Sequence, residues 1–127
     1  IGFSVNRFDI PVLSKYVSFN LKAIPVLDLL EEVELALGHR ISLDILAKTN
    51  LNGDGKTHAS GLEAIKLYRE GKMDELKSYC LNDVRITKEL YDLAVARKHL
   101  FVPKRYTNEL VKAEFNWAEQ ILPATLF

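Results

Sequence analysis

An α/β fold, with helices packed on a sheet, is what this sequence predicts. Three observations carry it. Short apolar runs at Ile1–Val5 and Ala23–Leu29 alternate with segments of helical period. One long helical pattern runs from Met73 to about Leu100. Glycine, proline and short polar residues punctuate the boundaries between them.

Taken in order, Ile1–Val5 suits a strand, although so brief a run leaves its period ambiguous. Asp9 can cap a helix over Ile10 to about Val17, with Pro11 in the first turn, where a missing N–H costs nothing. Ala23–Leu29 suits a second strand, and Pro25 confines it to an edge or a strand start. Asp28 and Leu29-Leu30-Glu31-Glu32 lead into a helical turn that Gly38 can stop. Ser42 begins a helix with Leu43, Ile45, Leu46 and Ala47 apolar.

Asn50 to Gly61 is rich in Gly, Asn and Asp and reads as a loop. Ser60 can cap the helix through Leu62, Ile65 and Leu67, which Gly71 ends. In the long pattern Leu76, Cys80 and Val84 recur at i+4, as do Ile86 and Leu90, and Pro103 halts it. Leu100-Phe101-Val102 and Leu110 to Phe115, flanking a polar turn at Tyr106–Glu109, read as a β-hairpin.

Bulk properties set limits on function. The 127 residues are 48% hydrophobic, enough for one domain with a real core and too apolar for a disordered chain. Lys+Arg and Asp+Glu both total 17, so any attraction to nucleic acid must come from local patches. The single cysteine, Cys80, cannot form an internal disulfide, which fits a cytoplasmic, reducing setting. No apolar run approaches the ~20 residues that span a bilayer. The opening Ile1-Gly2-Phe3 has no signal-peptide character. A chain that begins inside an expected strand reads as a truncated domain, 1–127, with its hairpin at about 100–117.

Two strings carry the chemistry. Gly2-Phe3-Ser4-Val5-Asn6-Arg7-Phe8-Asp9 places an aspartate after an aromatic ring at the end of an apolar segment. Tyr79-Cys80-Leu81-Asn82-Asp83-Val84 sets a phenol and a carboxylate at i and i+4, one turn apart on one helix face. Carboxylates brought together from separate elements suit a cluster that binds Mg²⁺ or Mn²⁺, which prefer hard oxygen ligands. Taken singly, these residues have plainer uses. Asp9 serves as a helix cap, Tyr79 as a half-buried core aromatic, and Asp83 as a solvated helix carboxylate.

Jointly, the strings resemble the second and third motifs of the tyrosine-bearing DEDD 3′–5′ exonucleases of the ribonuclease H-like superfamily. That subgroup includes polymerase proofreading domains and helicase-associated exonuclease domains. The resemblance covers about residues 1–100. The second motif normally carries an asparagine separated from the aromatic by two or three residues. Here Ser4 stands at the four-residue offset before Phe8 and Asn6 lies two positions later, on the same face if the stretch is a strand. The first motif, Asp-x-Glu, is absent from the sequence.

The resemblance implies a ribonuclease H-like fold, helices on a mixed sheet, with the N-terminal strands missing from this chain. It implies a two-metal phosphodiesterase in which Asp9 and Asp83 bind Mg²⁺ or Mn²⁺ and Tyr79 positions water. Ser4, Asn6 and Phe8 would meet a single-stranded or 3′-end substrate. Half the expected ligands are lacking, so this fragment is expected to be inactive or impaired. The alternative is a non-catalytic nucleic-acid-binding or assembly module of the same fold. The exposed Ile1–Val5 strand would pair with a second copy or with a missing N-terminal segment, and the resemblance allows a helicase or polymerase context.

Asn50-x-Asn52-x-Asp54-Gly55 opens like a calcium loop, but it has Asn for the first ligand and Gly61 where a bidentate Glu is needed, so a Gly-rich turn is the better reading. His39, His58 and His99 have no metal-ligand spacing. Lys56 and His58, and the group Arg97, Lys98, Lys104 and Arg105, read as scattered surface charge that a phosphate can meet.

Overall fold

The computed structural model describes residues 1–52 and 61–118. In chain order it has α1 (Asp9–Leu13), a single 3₁₀ turn (Leu21–Ala23), α2 (Leu29–Leu37), α3 (Leu43–Asn50), α4 (Gly61–Arg69), α5 (Met73–Arg97), β1 (His99–Pro103) and β2 (Leu110–Glu114).

Local chemistry explains the helix ends. The Asp28 side chain accepts the Leu30 N–H at 3.1 Å and caps α2, while Glu31 and Glu32 place negative charge at the positive end of its dipole. Gly38 ends α2 at φ 75°, a left-handed conformation that a Cβ would strain. Ser42 caps α3 by accepting the Ile45 N–H at 3.3 Å. α5 stops at Arg97 rather than running on towards Pro103, because Lys98 turns left-handed at φ 63°. Its carbonyl then accepts the Phe115 N–H at 2.9 Å, which ties the helix end to the hairpin. Pro103 instead closes β1, a strand-end position where no ladder donor is required.

The strands pair antiparallel, with Leu100 opposite Ala113 and Phe101 opposite Lys112. Along β1 burial alternates, so Leu100 and Val102 face inward. They meet Leu29, Leu30 and Val33 of α2, Leu46 and Ala47 of α3, and Ile86, Leu90 and Ala94 of α5. The last three are spaced by four, one stripe of a helix. Each fully buried Leu or Ile in this cluster contributes about 1.5–3 kcal/mol. The same period further up α5 lies outside the core: Val84 is 66% exposed and Cys80 is also exposed.

Asn50 closes the outer edge of β1. Its amide group donates to the carbonyls of Leu46 and Phe101, both at 2.8 Å, and its oxygen accepts the Phe101 N–H at 2.8 Å. Asn50 thus serves the sheet edge, using both ends of its amide there. Asp54, Gly55, Lys56, His58 and Ser60 lie outside the described residues.

Several expectations are corrected. Ile1–Val5 is not a strand; only Gly2 pairs, in a single parallel bridge to Asp28. The Gly2 N–H donates to Leu27 O at 3.0 Å and its carbonyl accepts the Leu29 N–H at 2.9 Å, so Gly2 offers no open strand edge. Ser4 then breaks the extension at φ 63°, and Ser4 and Asn6 cannot share a strand face. Ala23–Leu29 is likewise no strand, because a 3₁₀ turn capped by the Asn20 side chain takes its start. The first helix ends at Leu13 rather than Val17, and Asp9 sits inside it, with Phe8 at the cap position. In place of a mixed sheet, the described residues form one two-stranded antiparallel sheet and the Gly2 bridge. Among those residues no helix is long and apolar enough to cross a membrane.

Candidate active site

The segment that carries Asp9 is held by one buried carboxylate. Asp28 is 2% exposed. Its Oδ1 accepts the Ser4 N–H at 2.7 Å and the Leu30 N–H at 3.1 Å, and its Oδ2 accepts the Asn6 N–H at 3.1 Å. Three N–H donors replace the water a carboxylate loses on burial. From this clamp the chain coils: Ser4 O accepts the Phe8 N–H at 3.1 Å and Val5 O the Ile10 N–H at 2.9 Å. The Asn6 side chain donates to Glu31 at 2.7 Å, and the Arg7 guanidinium pairs with Glu34 at 2.9 Å. Residues 4–7 are thereby stitched to α2 between its cap and Glu34.

A Cβ on Gly2 would stand 2.1 Å from Val5 Cγ1. A side chain at position 2 would therefore force the Val5 side chain to move.

The clamped segment and α5 form two walls of a cavity of about 770 Å³. Gly2, Phe3, Val5, Phe8 and Asp9 line one wall; Cys80, Asp83, Val84, Thr87, Lys88 and Tyr91 line the other, with Leu43 between. The α5 residues recur at three and four, one helix face. Asp9 is exposed and Asp83 half-buried, with Asp83 Oδ1 sealed from solvent. Phe8, 68% exposed, offers an open aromatic face. Tyr91 is backed by Trp117 in a near-parallel stack with centroids 5.9 Å apart. Lys88 pairs with Asp92, whose hydrogen bond and charge raise the lysine pKa above its ordinary value.

The fold thus brings Asp9 and Asp83 to one cavity from positions far apart in sequence. Tyr79 is half-buried one turn before Asp83 on α5 and is not among the residues lining this cavity. Ser4 and Asn6 do not line it either; their backbones belong to the Asp28 clamp. Asp28 itself escapes notice in the sequence, where an aspartate before Leu-Leu-Glu-Glu signals only a helix cap. Thr87 and Tyr91 continue the string that begins at Tyr79 and belong to the sequence resemblance; Lys88 is legible afterwards from its register with Asp83.

Two carboxylates are hard donors suited to Mg²⁺ or Mn²⁺. Among the described residues, however, no group of three or more His, Cys, Asp or Glu is placed to hold a metal ion. The donors present do not by themselves fit a two-metal centre, which needs ligands for both ions.

A family model described as RNase_H superfamily matches residues 1–95, the part of the chain that builds both walls of the cavity. No curated protein and no solved structure matches the chain.

Proposed function

Since the chain belongs to the RNase H superfamily, we propose that it is a 3′–5′ exonuclease-like domain, dependent on a divalent metal and directed at phosphodiester bonds of DNA or RNA. One observation supports this above the others: Asp9 and Asp83 reach the same cavity from separate elements. In this reading the two carboxylates hold Mg²⁺ or Mn²⁺, and Phe8 packs on a base or sugar at the strand end. Tyr79, one turn from Asp83 but outside the cavity lining, would have to turn towards the cavity to orient water, and the Asp28 clamp keeps Asp9 in place. Such an ion, when bound, supplies charge stabilisation and a more acidic water. In this reading a partner supplies the ligands that two carboxylates lack. The 127 residues alone are therefore impaired in hydrolysis. A helicase or polymerase context is a further part of the proposal.

The small donor set also favours a second reading, a nucleic-acid-binding or assembly module without chemistry.

Single strands of DNA and RNA labelled at the 5′ end, with free or blocked 3′ ends, separate the two. The exonuclease-like reading expects Mn²⁺ to strengthen binding of free 3′ ends, with little degradation, and expects Asp9→Asn or Asp83→Asn to remove that increment. Binding indifferent to Mn²⁺, to the 3′ end and to both carboxylates establishes the second reading instead. Robust degradation that Asp83→Asn abolishes would show that the ligand set is already sufficient.

A further inference from the structure

The hairpin lies beyond the stretch matched by the family model, and its charge differs from that of the chain as a whole. Residues 97–118 hold Arg97, Lys98, Lys104, Arg105 and Lys112 against only Glu109 and Glu114, in a chain whose totals are equal. Upstream on α5, Arg85 and Lys88 are each neutralised by an acid one turn on. Arg97, Lys98, Arg105 and Lys112 have no ion pair with any of the described residues. Arg97, Lys98 and His99 form one side of a groove of about 510 Å³, closed by Glu114, Phe115 and Asn116, so one carboxylate stands among its cations.

The same hairpin carries an aromatic ring whose backbone is held in place. Phe101 points to the face of β1 opposite the core residues Leu100 and Val102. The Asn50 amide group holds its backbone N–H and carbonyl, each at 2.8 Å. His99 meets the ring edge-on at 5.0 Å, and the cross-strand Lys112 ammonium stands 5.9 Å above its centroid. The ring is half-buried with Lys112 over it; a base that displaces this ammonium can stack there, leaving the cation beside it for a flanking phosphate.

We propose that the outer face of the hairpin is a docking surface for single-stranded nucleic acid. Phe101 is its stacking platform, with Arg97, Lys98 and Lys112 as phosphate contacts. The proposal rests on the nucleic-acid reading above and extends it to a second region of the chain. It leads the strand past the hairpin as well as into the Asp9–Asp83 cavity. An acidic protein segment would satisfy the cations but has no base to stack on Phe101, so the ring favours nucleic acid.

The test is fluorescence anisotropy of a labelled twelve-nucleotide strand with the whole chain over a series of salt concentrations. Each variant is first checked for an unchanged thermal unfolding curve. Arg97→Glu/Lys98→Glu is expected to weaken binding about tenfold at ~0.1 M salt and to make the salt slope shallower by more than one. Phe101→Leu, which keeps an apolar side chain in the strand, is expected to lose about fivefold or more without changing the slope. Lys15→Glu/Lys22→Glu changes net charge by the same amount far from the hairpin in sequence and should lose much less.

Equal losses in the two charge-reversal pairs, or no loss with Phe101→Leu, would overturn the docking surface. So would equal competition by a poly-glutamate peptide. The active-site reading is judged separately, by whether wild-type binding depends on Mn²⁺ and a free 3′ end, and neither result decides the other.

Discussion

Asp28 and Ser4 stand twenty-four residues apart in sequence and 2.7 Å apart in space, the Asp28 carboxylate accepting the Ser4 backbone N–H. The same carboxylate holds Asn6 and caps α2 through Leu30. One buried side chain therefore sets where α2 begins and how the chain turns before Asp9. Asp28→Ala would leave these donors without the carboxylate and is expected to destabilise the chain by about 2–4 kcal/mol. Asp28→Asn, which keeps an acceptor but brings an NH₂ against N–H donors, should fall between. Urea unfolding measures both, with hydrogen exchange at Ser4 and Asn6 as the local readout. A loss within the error of the urea curve would show that the clamp contributes little.

Asn50→Ala tests the closure of the sheet edge. It removes the partner of the Phe101 N–H and carbonyl, and leaving those groups unsatisfied costs about 1–3 kcal/mol. Asn50→Asp should recover only part of this, since a carboxylate accepts the N–H but cannot donate to the carbonyls. Full stability in Asn50→Asp would mean that the donated bonds are unimportant.

Cys80 lines the cavity, is exposed, and is the single cysteine of the chain. A single strand seated between Asp9 and Asp83 should slow its modification by a maleimide several-fold. With Asp83→Asn in the presence of Mn²⁺, the protection should be reduced. An unchanged labelling rate at saturating oligonucleotide would place the strand elsewhere.

The Lys88–Asp92 pair gives a pH prediction of known sign. Hydrogen bonding and charge from Asp92 raise the lysine pKa above 10.5 in the folded chain. Its stabilisation is therefore complete below pH 10.5 and disappears as pH rises through the folded value. The pair is fully solvated, so the contribution is small. Wild type and Asp92→Asn should differ in unfolding midpoint by a small constant amount from neutral pH up to about pH 10, and converge above it. A difference that widens above pH 10 would contradict this.

Much of the local structure is written in the sequence because it depends on neighbours a few residues apart. Ser42 caps α3, Gly38 ends α2 left-handed, and the four-residue recurrence of Ile86, Leu90 and Ala94 marks the buried stripe of α5. The hairpin follows from its alternating strands and polar turn. The one-turn spacing of Tyr79 and Asp83 is fixed by the helix that carries them. Residues that form a capping bond, a turn or a helix face act through their own backbone, and a single segment displays them.

Tertiary structure decided what depends on partners far along the chain. Ile1–Val5 and Ala23–Leu29 are too short for period alone to settle, and the Asp28 carboxylate and the Gly2 bridge turned them into a clamped loop rather than strands. Asn50 looks like a loop ligand until Phe101, fifty-one residues away, takes both ends of its amide. Asp9 and Asp83 lie seventy-four positions apart, and no local pattern fixes their distance. They line one cavity because the Asp28 clamp aims the first turn of α1 at the face of α5 that bears Asp83. Hydrogen bonds and burial between remote segments set that approach, and they exist only once the chain has folded.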